Sequence, residues 1–300
     1  MNEKSSLYWR EFGILWGLSV VLGTILIWQA HIPSTYFAMR LLLAGHTWSP
    51  LMFAVEELQT VLVFTIAVSV GLVAAHALGL GAPILENLLS RRPVASHLRA
   101  IVVPAVLVGA LIAVIGLTAL LPALHPNRQI SNEVATKAVE MNSPRLMYKV
   151  EQTSSRVTFL AAVVGYVCGP ISGALVGQMF WVSGIAWLLA RAMRDPSRPP
   201  GRAVFFWAIA IATAIASALG ILATAGANRQ LQTYLSDVLP NMQAEPLWSL
   251  SARHLIGSVP SGFGLGWLYV RYGLEAAILG IVVAALIGHE LVLHFLTWFY

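Results

Sequence analysis

Between Ile101 and Leu121 the chain runs a full helix length without a single charge, and it does so again between Ala203 and Ala225. About 20 apolar residues wound as a helix match the roughly 30 Å hydrocarbon thickness of a bilayer. A helix also satisfies its own backbone N–H and C=O groups, which lipid cannot do for it. Repeated segments of this kind leave lipid as the solvent and the α-helix as the conformation. Composition bears this out: 58% of the residues are hydrophobic and only 10% are charged, whereas a soluble domain carries about 25% charged residues.

The expected fold is therefore all-α, a polytopic transmembrane helix bundle of about six or seven spans forming one integral membrane domain over residues 1–300. The spans read as Phe12–Ala30, Leu51–Leu78, Ile101–Leu121, Ile171–Ala192, Ala203–Ala225, His254–Tyr269 and Leu274–Trp298. They group as N-terminal spans over 12–121, an external loop over 122–156 and a core over 157–298. Lys4 and Arg10 precede the first apolar stretch like the start of a signal peptide, but Trp28 stands where cleavage needs small residues, so this stretch reads as an uncleaved span. The apolar stretch Val157–Ala192 is too long for one crossing, so Gly169 and Pro170 are expected to break or kink it, leaving a short lead-in to Cys168 before the fourth span; Pro260 with Gly262, Gly264 and Gly266 is expected to interrupt the sixth.

Eighteen Lys and Arg exceed thirteen Asp and Glu. With no soluble face to mass them on, the excess reads as cytoplasmic loop anchoring and not as a nucleic-acid surface. Arg91, Arg92 and Arg99 share one short loop, and Arg191, Arg194, Arg198 and Arg202 share another. Both loops fall on one side of the membrane, together with Arg271, if the N-terminus is cytoplasmic. The longer segments 122–156 and 226–253 then lie outside. Cys168 is the only cysteine, which excludes an intrachain disulfide and a thiolate metal site.

Ionisable groups inside a span are costly and mark candidates for function. Glu56 and Glu57 open the second span; neighbours on a helix point about 100° apart, so at most one faces inward. Against a catalytic carboxylate stands the plainer reading of an interfacial pair reaching for water. His289, Glu290 and His294 resemble a zinc-protease H-E-x-x-H motif, but the second histidine is one residue late and points away, so the pair cannot chelate one ion. No metal site and no cofactor is expected. Gly165, Gly169, Gly173 and Gly177 recur at four-residue spacing, and such a stripe lets another helix backbone approach closely in lipid. The ladder is expected to pack a helix.

Two segments are similar to parts of the CPBP (CAAX protease and bacteriocin-processing) intramembrane proteases. One is Gly79-Leu-Gly-Ala-Pro-Ile-Leu-Glu86 with Arg92-Pro93; the other is Gly264-Leu-Gly-Trp-Leu-Tyr269 with Arg271-Tyr-Gly-Leu-Glu-Ala-Ala-Ile278. The resemblance covers roughly residues 51–296 and implies a bacterial inner (plasma) membrane protein, while the loop charges place its N-terminus in the cytoplasm. It also implies catalytic motifs E-E-x-x-x-R, F-x-x-x-H and H-x-x-x-N/D. At the matching positions stand Gly173 and Ala174, with Gln178; Leu219 and Ala223; and Ile281 and Ala285. None of these can take a proton or hold a metal in the family's way.

The expectation is a catalytically degenerate member that binds, sequesters or escorts a membrane protein or peptide. Its partners are the lipid bilayer and another membrane protein or a second copy of itself, with no nucleic acid. The alternatives are an active endopeptidase using Glu56 or Glu57 with His76, His289 or Glu290, and a small-solute carrier. Reporter fusions should place the Arg91–Arg99 and Arg191–Arg202 loops in the cytoplasm and the 122–156 segment outside; an external arginine loop would refute this topology.

Overall fold

Residues 3–31, 50–116, 168–193, 201–236 and 247–299 are described by the computed structural model, and among them every regular element is a helix. In chain order these are α1 (Glu3–His31), α2 (Pro50–Leu78), α3 (Pro83–Leu89), α4 (Ala95–Gly116), α5 (Gly169–Ala192), α6 (Arg202–Ser236), α7 (Leu247–Tyr272) and α8 (Leu274–Phe299). Gly165 and the segment 122–156 lie outside the described residues, as do the side chains of Ala223, His289 and Glu290.

Among the described residues four helices are long and apolar enough to cross a membrane by length and composition: Phe53–Leu78, Ala95–Gly116, Gly169–Ala192 and Arg202–Leu222. The 22 residues of α4 reach about 33 Å at about 1.5 Å per residue. Its Val103, Leu107, Leu111 and Val114 all point outward and are exposed. In water that stripe would invite aggregation; against acyl chains it costs nothing. The apolar part of α8, Leu274–Gly288, is shorter among the described residues.

Proline behaves by position. Pro170 sits in the first turn of the α-helical part of α5, where its missing donor is tolerated. Pro260 lies inside α7, yet that helix is continuous from Leu247 to Tyr272. The middle of α5, Leu175–Val182, winds as a π-helix.

The long helices run alternately up and down. One end of the bundle collects the start of α1, the end of α2, α3, the start of α4, the end of α5, the start of α6 and the α7–α8 turn. Ala186, Val204 and Ala208 pack with Leu78 there, tying α5, α6 and α2. Arg91, Arg92, Arg99, Arg191, Arg202 and Arg271 therefore all fall at this charged end. At its centre α5 packs against α1, α2, α6, α7 and α8. Ala174, Leu175, Met179 and Val182 on α5 meet Val68 and Leu72 from α2, Tyr269 from α7 and Leu274 and Ala277 from α8.

Polar bonds stitch the helices across this apolar interior. Trp16 Nε1 donates to Thr65 Oγ1 at 2.8 Å, Ser183 Oγ and Tyr269 OH are 2.6 Å apart, and Ser217 and Ser258 join α6 to α7 at 2.8 Å. Each is worth about 0.6–2 kcal/mol in a membrane protein.

Among the described residues no backbone approaches the glycine ladder at Gly173 or Gly177: nothing lies within 4 Å of a Cβ added at either. The inward face of α5 is instead Ala174, Leu175, Gln178, Met179, Val182 and Ser183. Larger side chains make more dispersion contacts in the packed interior than glycine does, which turns the glycines outward. Close approach happens at Gly71, where a Cβ would lie 2.8 Å from the Met179 carbonyl oxygen, and at Gly109, where it would lie 2.6 Å from that of Gly280. Gly71→Leu should therefore cost about 1–3 kcal/mol by overpacking, read as a lower melting temperature in detergent. Gly173→Leu should leave the melting temperature nearly unchanged.

Candidate functional site

The helix ends at the charged end are set by glycine. Gly79 (φ +68) follows α2, and the Leu80 N–H reaches back to the Ala75 carbonyl at 2.8 Å, closing a Schellman-type cap. Gly273 (φ +97) separates α7 from α8, and any Cβ there would collide with Pro83. These two turns face each other. Leu274 N donates to Gly81 O at 3.0 Å, and Leu85 N donates to Glu275 Oε1 at 2.9 Å. A carboxylate from α8 thus caps the first turn of α3, a charge-assisted bond that favours a helix N-terminus. The segments 79–86 and 264–278, far apart in the chain, form one joint.

That joint holds Glu86 against α1 and α2. Gly81 leaves room for the Glu86 carboxylate, since a Cβ at Gly81 would strike Glu86 Oε1. Burial holds the Glu86 carboxyl above the usual carboxylate range, and the nearby charge of Glu11 pushes it the same way. Glu11, on α1, is 0% exposed, and His76 Nε2 on α2 lies 3.1 Å from its Oε2. That contact is close enough for an ion pair but is not aligned as a hydrogen bond, and neither Glu11 oxygen has a hydrogen-bond partner among the described residues. One atom each from Glu11, His76 and Glu86 fall within 4.8 Å of one another.

The imidazole is oriented from behind. His76 Nδ1 is 3.0 Å from the Leu72 carbonyl oxygen, which can only accept, so Nδ1 carries the proton. In the neutral ring Nε2 is then a lone pair aimed at a carboxylate. The Tyr8 ring covers one side of the imidazole, with centroids 5.5 Å apart. The other side is open, and His76 is 37% exposed.

The residues named from sequence are distributed differently. Thr24 Oγ1 donates to Glu57 Oε1 at 2.5 Å, tying α1 to α2 near their other ends, and Glu56 is half-buried. Glu57 and His76 share α2, and the helical rise puts them about 28 Å apart, so the structure does not bring that pair together. Ala174 is fully buried, Gln178 is buried with its Oε1 unpartnered among the described residues, and Ile281 packs onto the same core. Gly173 is exposed, Leu219 is 55% exposed and Ala285 is half-buried. A shallow crevice between α6 and α7, lined by Thr213, Ser217, Leu255 and Phe263 among others, offers no titratable group.

Sequence reasoning missed Glu11 and Glu86 as site residues and placed His76 with the wrong carboxylate. A signal was there: Glu11 is an acidic residue entering an apolar stretch with no acidic or basic neighbour one turn further on. Compared with protein-family models, curated proteins and solved structures, the chain finds no match. Removing the cap should be measurable: Glu275→Ala leaves the Leu85 N–H without its acceptor, at about 1–3 kcal/mol. Glu275→Gln keeps an acceptor oxygen and should lose less, and melting curves of the two variants check the order.

Proposed function

We propose that this chain is an inner-membrane bundle of seven spans that resembles the CPBP proteases in fold and has no hydrolytic activity of their kind. It acts by binding or sequestering another membrane protein or peptide. The observation that carries this reading is the packing around Ala174. Hydrolysis at the positions matched by the resemblance needs a water and a base in a polar cavity. Ala174 is instead enclosed with Leu175, Met179, Val182, Tyr269 and Ala277, and Ile281 packs onto them. None of these side chains serves as a base for water.

Binding has a candidate surface. Gly173 and Gly177 leave the outer side of α5 bare, with nothing among the described residues over either glycine. In lipid a partner helix gains its contacts at such notches, because small residues let backbones approach. On this reading the arginine-rich end is cytoplasmic, in line with the positive-inside rule.

Purified protein in nanodiscs should leave prenylated and transmembrane peptides uncut, while Gly177→Cys should form crosslinks to a bound transmembrane helix. Gly173→Leu should weaken that capture without lowering the melting temperature. Cleavage abolished by Glu56→Gln or Glu57→Gln would sink the proposal in favour of an active endopeptidase.

A further inference from the structure

We propose that Glu11, His76 and Glu86 form a binding site for one divalent transition-metal ion at the charged end of the bundle, independent of the partner-binding reading above. Three observations converge on it. Glu11 is fully buried, and apart from the 3.1 Å approach of His76 Nε2 neither of its oxygens has a partner among the described residues; so poorly satisfied a buried carboxylate is strongly disfavoured. His76 Nδ1 is committed to the Leu72 carbonyl, the second contact that metal-ligating histidines characteristically make, which leaves Nε2 to ligate. Glu86 brings a second carboxylate to the same point from α3.

The geometry suits the ion. A tetrahedral metal with bonds of about 2.0–2.2 Å holds its donors about 3.3–3.6 Å apart. Glu11 Oε2 and His76 Nε2 already stand at 3.1 Å, and all three donors lie within 4.8 Å. The remaining closure falls to the Glu86 side chain, which is half-buried in the middle of α3 and has rotamers to turn. Two carboxylates and a neutral imidazole carry two negative charges, matching a divalent cation. One imidazole among the donors favours Zn²⁺ and its first-row neighbours over Mg²⁺. Three protein donors leave a coordination position on the exposed side of His76 for water or a ligand. A bound ion joins α1, α2 and α3, and so clamps the first span to the joint made by the segments 79–86 and 264–278.

The competing account is a protonated His76 shared between two glutamates, with no metal affinity. Full-length protein in detergent, stripped with chelator, should bind Zn²⁺ at one equivalent by calorimetry and melt at a higher temperature with it; Mg²⁺ should do neither. Co²⁺ should give the intense visible absorption of a four-coordinate site. Glu11→Gln and His76→Gln should each weaken Zn²⁺ binding by more than about 100-fold, beyond the roughly 10–100-fold typical of losing an outer partner. Glu86→Gln should also weaken it. His97→Gln, outside the cluster, should bind as the wild type does. Because Glu11→Gln removes a buried charge, its metal-free form should melt no lower than metal-free wild type, which separates loss of the site from loss of the fold. Absence of Zn²⁺ binding by the wild type, or equal binding by Glu11→Gln and His76→Gln, overturns the proposal.

Discussion

In hydrocarbon every backbone N–H and C=O must find its partner within the protein, and the cost of failing at even one is several kcal/mol. The rest of this structure follows from that constraint. It makes the described elements helices, lets α4 expose valines and leucines along its length, and expels charge to the ends of the bundle. It also explains the style of the polar contacts inside. Trp16 finds Thr65, Ser183 finds Tyr269 and Ser217 finds Ser258, each pairing one side-chain donor with one acceptor on a neighbouring helix.

At the charged end the constraint is relaxed, and there the chain builds its least regular structure. Two glycine turns meet, and Glu275 supplies the acceptor that the first turn of α3 lacks. The consequence reaches beyond the joint itself. A short helix held by a carboxylate from α8 presents Glu86 to α1 and α2, next to Glu11, whose oxygens accept no hydrogen bond among the described residues. The chemically loaded residues therefore gather where the bilayer ends, while the middle of the bundle, around Ala174, is filled with aliphatic side chains.

The glycine ladder shows how lipid changes the inference from pattern to packing. In a soluble helix an apolar stripe marks the buried side. Here α2 and α6 are apolar on all sides, so no stripe distinguishes the face that meets protein from the face that meets lipid. The regular spacing of Gly173 and Gly177 looked like a contact, whereas single glycines at Gly71 and Gly109 make the close approaches. Gly71 carries no spacing signal of its own; what selects it is the Met179 carbonyl on another helix.

What the sequence determined by itself was whatever depends on a residue and its near neighbours: helical class, from uncharged runs the length of a bilayer; the end of the second span at Leu78 and the start of the last at Leu274; and the sharing of one end of the bundle by Arg91, Arg92, Arg99, Arg191 and Arg202. Only the tertiary structure decided which side of α5 is inside, which glycines touch a backbone, and that Glu11, His76 and Glu86 converge. The physical reason is that helix–helix register in lipid is set by shape fit and a few hydrogen bonds between segments distant in the chain. Those terms belong to pairs of helices, and no single stretch of sequence contains them.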